Sequence, residues 1–170
     1  TTNEIFTTIY NKGTLKRFKA EHSALQEKTI FYINLMLQHR ENIMKQVFRY
    51  QNETKIHIPV AFKHIIRNIK EQHHITTQTM SDITPLEIYN KLEYYYSILE
   101  SNTYFKPTLL FKLLYYYYLS PKELLVQHFT KSTVTVLLET IVLTYKKAII
   151  NPGEMCGIIA AQSIGEPTTQ

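Results

Sequence analysis

A chain of 170 residues is long enough for one ordinary domain or two small ones, and 44% hydrophobic with 19% charged residues is the composition of a folded protein rather than a disordered one. A net charge of +5 and a pI near 9.1 allow contact with nucleic acid without demanding it. The one cysteine, Cys156, excludes an internal disulfide and fits a reducing compartment, and no apolar run reaches the roughly 18 uninterrupted residues of a membrane span.

The opening TTNEIFTTIYNKG has no apolar core behind a basic start, so it does not read as a secretory leader; a strand or turn is expected there. A start on Thr1 and an end in mid-motif suggest a piece of something longer. From Leu15 to Arg49 apolar residues fall at Leu25, Ile30, Ile33, Leu37, Met44, Val47 and Phe48. That spacing predicts one long helix, or two broken near Ser23. Pro59 ends an extended KIHIP run and admits a helix over 60–71, whose inner face carries Phe62, Ile65, Ile66 and Ile69. Helices are expected at 85–100, 107–119, 121–129 and 132–150. The class is mainly α.

One device recurs three times: Thr84-Pro85-Leu86-Glu87, Ser120-Pro121-Lys122-Glu123 and Asn151-Pro152-Gly153-Glu154. A capping residue, Pro at N1 and Glu at N3 make a helix start, with the side chains satisfying N–H groups that the first turn leaves free. Thr84, Ser120 and Asn151 are therefore predicted N-caps.

Candidate chemistry is sparse. His73 and His74 are adjacent, which on a helix points them about 100° apart, and no CxxC or HExxH is present, so a metal site is not expected. The runs Tyr94–Tyr96 and Tyr115–Tyr118 cannot form one stacking platform, because four consecutive helical residues spread over about 300°. They read as helices buried on more than one face. Lys16, Arg17 and Lys19, and the pair Lys146-Lys147, read as solvated faces or helix-end charges. No catalytic constellation stands out: Ser163 is not in a GxSxG setting, and GEMCG lacks the spacing and Lys of a phosphate loop.

The last twenty residues, NPGEMCGIIAAQSIGEPTTQ, hold three of the four glycines. As a helix from Pro152, Gly153, Gly157, Ala161 and Gly165 form one stripe of almost no side chain, with Ile158, Ile159 and Gln162 opposite. Gly inside a helix costs up to about 1 kcal/mol against Ala, and close approach of another backbone is the usual offset. Gly165 is expected to end this helix and Glu166-Pro167 to start the next, giving a rigid base and a hinge.

Pro152–Gln170 resembles the segment leading into the trigger loop of the largest subunit of multisubunit DNA-dependent RNA polymerases. The family pattern is PGE-M/A-V-G-x-x-AAQS-I/L-GEP-x-TQ, and only Cys156, in place of the usual Val, departs from it. Ile56–Ile75 and Ser81–Ile88 resemble the preceding region more weakly, so the resemblance covers about 21–170. It implies templated nucleotidyl transfer by the complete enzyme, with magnesium bound outside this chain, since the family's acidic loop Asn-Ala-Asp-Phe-Asp-Gly-Asp is absent. The chain alone is then inactive. Its implied parts are a foot-like helical region over 1–150 and a cleft helix over 151–170. Gly165, Glu166 and Pro167 would be the hinge, and Gln170 would lie near the sugar of the incoming NTP. Implied partners are other polymerase subunits, with DNA template and RNA met through the complex. Met155 and the foot-like region point to the eukaryotic, archaeal or large-DNA-virus branch, and the short stretch 92–124 tilts this to a viral member. The location would be host cytoplasm and virion, or nucleus for a cellular enzyme. The rival reading is a free-standing helical interaction module whose terminal segment is only a capped, tightly packed helix.

Overall fold

A computed structural model describes residues 9–49, 56–101 and 106–169. Among them the chain is helical, as its composition and period predict: α1 (Lys12–Ala20), α2 (His22–Gln46), α3 (Phe62–Gln72), α4 (Pro85–Ser101), α5 (Leu109–Tyr118), α6 (Pro121–Val126), α7 (Lys131–Lys147) and α8 (Cys156–Thr169). The expected strand or turn near the start is in part outside the described residues. What is described is a single parallel bridge between Tyr10 and Ser81, with Ser81 N–H donating to the Ile9 carbonyl at 2.8 Å.

The core lies where α7 packs against α3 and α4, and α5 against α2 and α3. α3 buries Phe62, Ile65, Ile66 and Ile69, the face its period predicts. α7 buries Val134, Leu137, Leu138, Ile141, Val142 and Tyr145, so its β-branched start is helical after all. Thr130 Oγ1 and the Thr133 side chain cap that start reciprocally, with Thr133 Oγ1 accepting from Thr130 N–H at 2.8 Å.

The tyrosine runs divide between core and surface. Tyr115 is fully buried and its hydroxyl donates to the Leu92 carbonyl at 3.1 Å. Tyr116 meets Tyr115 edge-on at 5.3 Å, and Tyr32 lies 4.8 Å from the centroids of both Tyr116, to which it is tilted, and Tyr89, on which it stacks. The Tyr32 hydroxyl bonds Glu93. Burial pushes the Tyr116 phenol up to about 12. Tyr94 and Tyr117 face outward.

The long amphipathic stretch is two helices, broken at Glu21. The residues that set its period are not its buried ones. Ile30, Ile33 and Leu37 are exposed, and α2 buries Tyr32 and Ile43 instead. Arg17 is an exposed charge in the last turn of α1, as its position suggests, and it has distant partners as well. Its guanidinium donates to Glu87 Oε1 at 2.8 Å and to the Asp82 carbonyl at 3.2 Å, tying α1 to the start of α4.

The three predicted caps come out differently. Thr84 is a full capping box: Glu87 N–H donates to Thr84 Oγ1 at 3.3 Å, and Thr84 N–H donates to Glu87 Oε2 at 3.1 Å. Its hydroxyl also reaches Glu21 Oε2 at 2.8 Å. Ser120 stands at the N-cap of α6 with Pro121 at N1, but its side chain makes no cap bond. Asn151 is not an N-cap. Asn151-Pro152-Gly153-Glu154 is a turn, with Gly153 at φ +93° and the Glu154 N–H donating to the Asn151 carbonyl at 3.3 Å. Pro in the second position and a left-handed Gly in the third satisfy that turn, and the helix begins only at Cys156. Thr84→Ala is expected to cost about 1–2 kcal/mol, and Ser120→Ala less than about 0.5 kcal/mol, in urea unfolding of the same protein.

Candidate functional site: the terminal helix

α8 is a helix that the other described residues leave uncovered. None of its described residues is buried, and Met155, Ile158, Ile159 and Ile164 are all exposed. An isolated helix of this length is marginal in water, and this one, partly apolar, buries no face against the described residues.

The small-residue stripe is present but shifted by the turn. Gly153 belongs to the turn, not the helix, while Gly157, Ala161 and Gly165 remain one stripe on α8. A Cβ built on Gly157 or Gly165 meets no described heavy atom within 4 Å. The close neighbour that would explain the glycines is therefore not among this chain's described residues.

Gly165 does not end the helix. α8 runs through Gly165, Glu166 and Pro167 to Thr169. Its continuity there is compromised chemically. Pro167 has no N–H for the carbonyl one turn back, and a prolyl ring inside a helix crowds that carbonyl. Hydroxyls bond back onto the same stretch: Ser163 to the Ile159 carbonyl at 2.9 Å, Thr168 and Thr169 to the Gly165 carbonyl at 2.9 and 2.8 Å. Such back-bonding tends to bend a helix. The hydroxyls of Ser163, Thr168 and Thr169 were not read from the sequence as part of the site, although their spacing from the carbonyls they reach follows once a helix is drawn through the Gly and Pro. Gln170 lies outside the described residues.

No group of three or more His, Cys, Asp or Glu side chains among the described residues is placed to hold a metal ion. No described helix is long and apolar enough to cross a membrane.

A family model described as RNA polymerase Rpb1, domain 5, matches residues 3–170, and the chain belongs to that family. The DNA-directed RNA polymerase subunit Rpo1C of Thermococcus gammatolerans is 52% identical over 40 residues, which are 24% of this chain and 10% of that protein. The chain thus spans about a tenth of that relative's length.

Proposed function

We propose that the chain serves templated RNA synthesis as part of the largest subunit of a DNA-dependent RNA polymerase, and that its role there is to position rather than to react. The observation that carries this reading is α8: a helix bearing the AAQSIGEP segment just after the PGE turn, with no buried residue and a stripe at Gly157, Ala161 and Gly165. The helical region over 1–150 docks on neighbouring subunits, and the residues from 151 onward form the stem beneath the trigger loop. DNA template and RNA meet the chain through the assembled complex, and magnesium is held elsewhere in it. The short stretch 92–124 supports a viral member of the family.

The Gly165–Pro167 stretch takes up the motion of that loop. A helix lacking one backbone bond and carrying Gly beside Pro bends more easily there than along its uninterrupted turns. Gln170, beyond it, meets the sugar of the NTP. An amide offers a donor and an acceptor to ribose hydroxyls without adding charge beside a triphosphate. Gln170→Ala in the complete polymerase is expected to slow NTP incorporation and to weaken discrimination against 2′- and 3′-deoxy NTP, since a site built around a hydroxyl rejects the analogue lacking it. Unchanged rates with unchanged discrimination would leave the segment a structural stem and remove Gln170 from the substrate site.

A further inference from the structure

Away from α8, a groove of about 460 Å³ opens between α3 and the α5–α6 corner. One wall is cationic. Lys63, Arg67 and Lys70 stand at i, i+4 and i+7 on α3, so their backbones rise by about 6 Å and then about 4.5 Å along one helix face. Among the described residues none of the three is in an ion pair. Lys63 sits 5.7 Å from the Tyr118 ring centroid, and Arg67 bonds only the neighbouring His64. The other wall holds Tyr117, Tyr118 and Gln127, with Glu123 the one carboxylate.

The aromatic wall is fixed from behind. Tyr118 stacks on the buried Phe62 with centroids 5.7 Å apart, and Tyr117 meets Tyr118 edge-on at 5.1 Å. Tyr117 is 60% exposed, so a ring oriented by the core is offered to solvent beside three uncompensated cations. Cations along one wall and a supported aromatic face on the other are the two elements of single-strand recognition: charge for the backbone and a π-face for a base. Glu123 favours a phosphate backbone running along α3, away from α6, and Gln127 is placed to meet a base edge. An acidic peptide would use the cations but has no use for an exposed tyrosine face. From the sequence the Tyr115–Tyr118 run reads as packing rather than a stacking platform, and Ile56–Ile75 as a family-like stretch; the cation spacing in KHIIRNIK is visible there, but not its place beside Tyr117.

We propose that this groove binds single-stranded nucleic acid, with Lys63, Arg67 and Lys70 on successive phosphates and Tyr117 under a base. The inference does not rest on the role assigned to α8. The test is photo-cross-linking of a short thiouridine-bearing oligouridylate to the complete polymerase, with adducts mapped to peptides by mass spectrometry. An adduct is expected on the peptide carrying Tyr117. Its yield should fall roughly tenfold in the combined Lys63→Ala, Arg67→Ala, Lys70→Ala variant, and should fall as salt rises. Tyr117→Ala should cut it by a similar factor while Tyr117→Phe keeps it, because stacking needs the ring and not the hydroxyl. Adducts elsewhere in the same sample with none at Tyr117 or Tyr118 would overturn the proposal. So would equal competition by polyglutamate, which would make the groove an acidic-peptide site.

Discussion

Tyr115→Ala is expected to open the helical body more than any surface change. The side chain is fully buried, and its ring meets Phe62, Tyr96, Phe111 and Tyr116 with centroids between 5.3 and 6.4 Å. Removing a buried aromatic costs about 3–5 kcal/mol, the sum of lost transfer energy and the cavity left behind. Tyr115→Phe isolates the hydroxyl. It loses only the bond to the Leu92 carbonyl, about 1 kcal/mol, and keeps the packing. Hydrogen exchange of α4, α5 and α7 in the complete subunit reads both changes. Protection should fall by roughly two to four decades for Ala and by about one for Phe. Equal losses would mean that the hydroxyl, not the ring, holds this junction. The neighbouring phenol adds an alkaline limit. Tyr116 is neutral when folded and pushed up to about 12 by burial, so its contribution is present below the ordinary tyrosine value near 10 and is lost as pH rises from there through about 12.

Gly157→Leu separates folding from assembly. Within the chain nothing described lies within 4 Å of a Cβ at Gly157, and Leu is the better helix former by nearly 1 kcal/mol, so the helical body should be unaffected. In the complete polymerase the same side chain is expected to enter the contact proposed for the stripe. Overpacking of about 1–3 kcal/mol is equivalent to a roughly five- to 150-fold loss in assembly or elongation. Ile159→Leu, a volume-conserving change on the other side of α8, should be tolerated. Normal elongation by Gly157→Leu polymerase would show that the glycine has no close neighbour.

How far the sequence could be read depended on what each residue's choice was about. The inner face of α3 was legible because Phe62, Ile65, Ile66 and Ile69 are set by the helix period and buried by this chain alone. Thr84 was legible because its capping box is completed three residues away by Glu87. Asn151 carries the same letters, yet Gly153 lets the chain take a left-handed turn that the other two sites, lacking Gly, do not offer; a Pro-Gly pair outweighed the capping pattern. On α2 the periodic apolar residues Ile30, Ile33 and Leu37 are exposed here, because a period marks a face without saying which body covers it. Arg17 shows the complementary limit: its partners Asp82 and Glu87 are 65 and 70 positions away, beyond any local pattern. The terminal site was legible as a motif and as a stripe, while its extent was not, since Gly165 and Pro167 read as a helix end but lie within α8.

α8 is expected to be covered in the working polymerase. Ala161→Cys puts a thiol on the stripe with little added volume, and its alkylation by a maleimide can be followed at the peptide level in the assembled enzyme and in the same enzyme unfolded in urea. Ala161 is exposed in the chain itself. Assembly is expected to protect this thiol by at least about a hundredfold, as for a site reached only by local opening. Alkylation in the assembled polymerase as fast as in the unfolded one would contradict it, and would leave the stripe without the neighbour that its glycines imply.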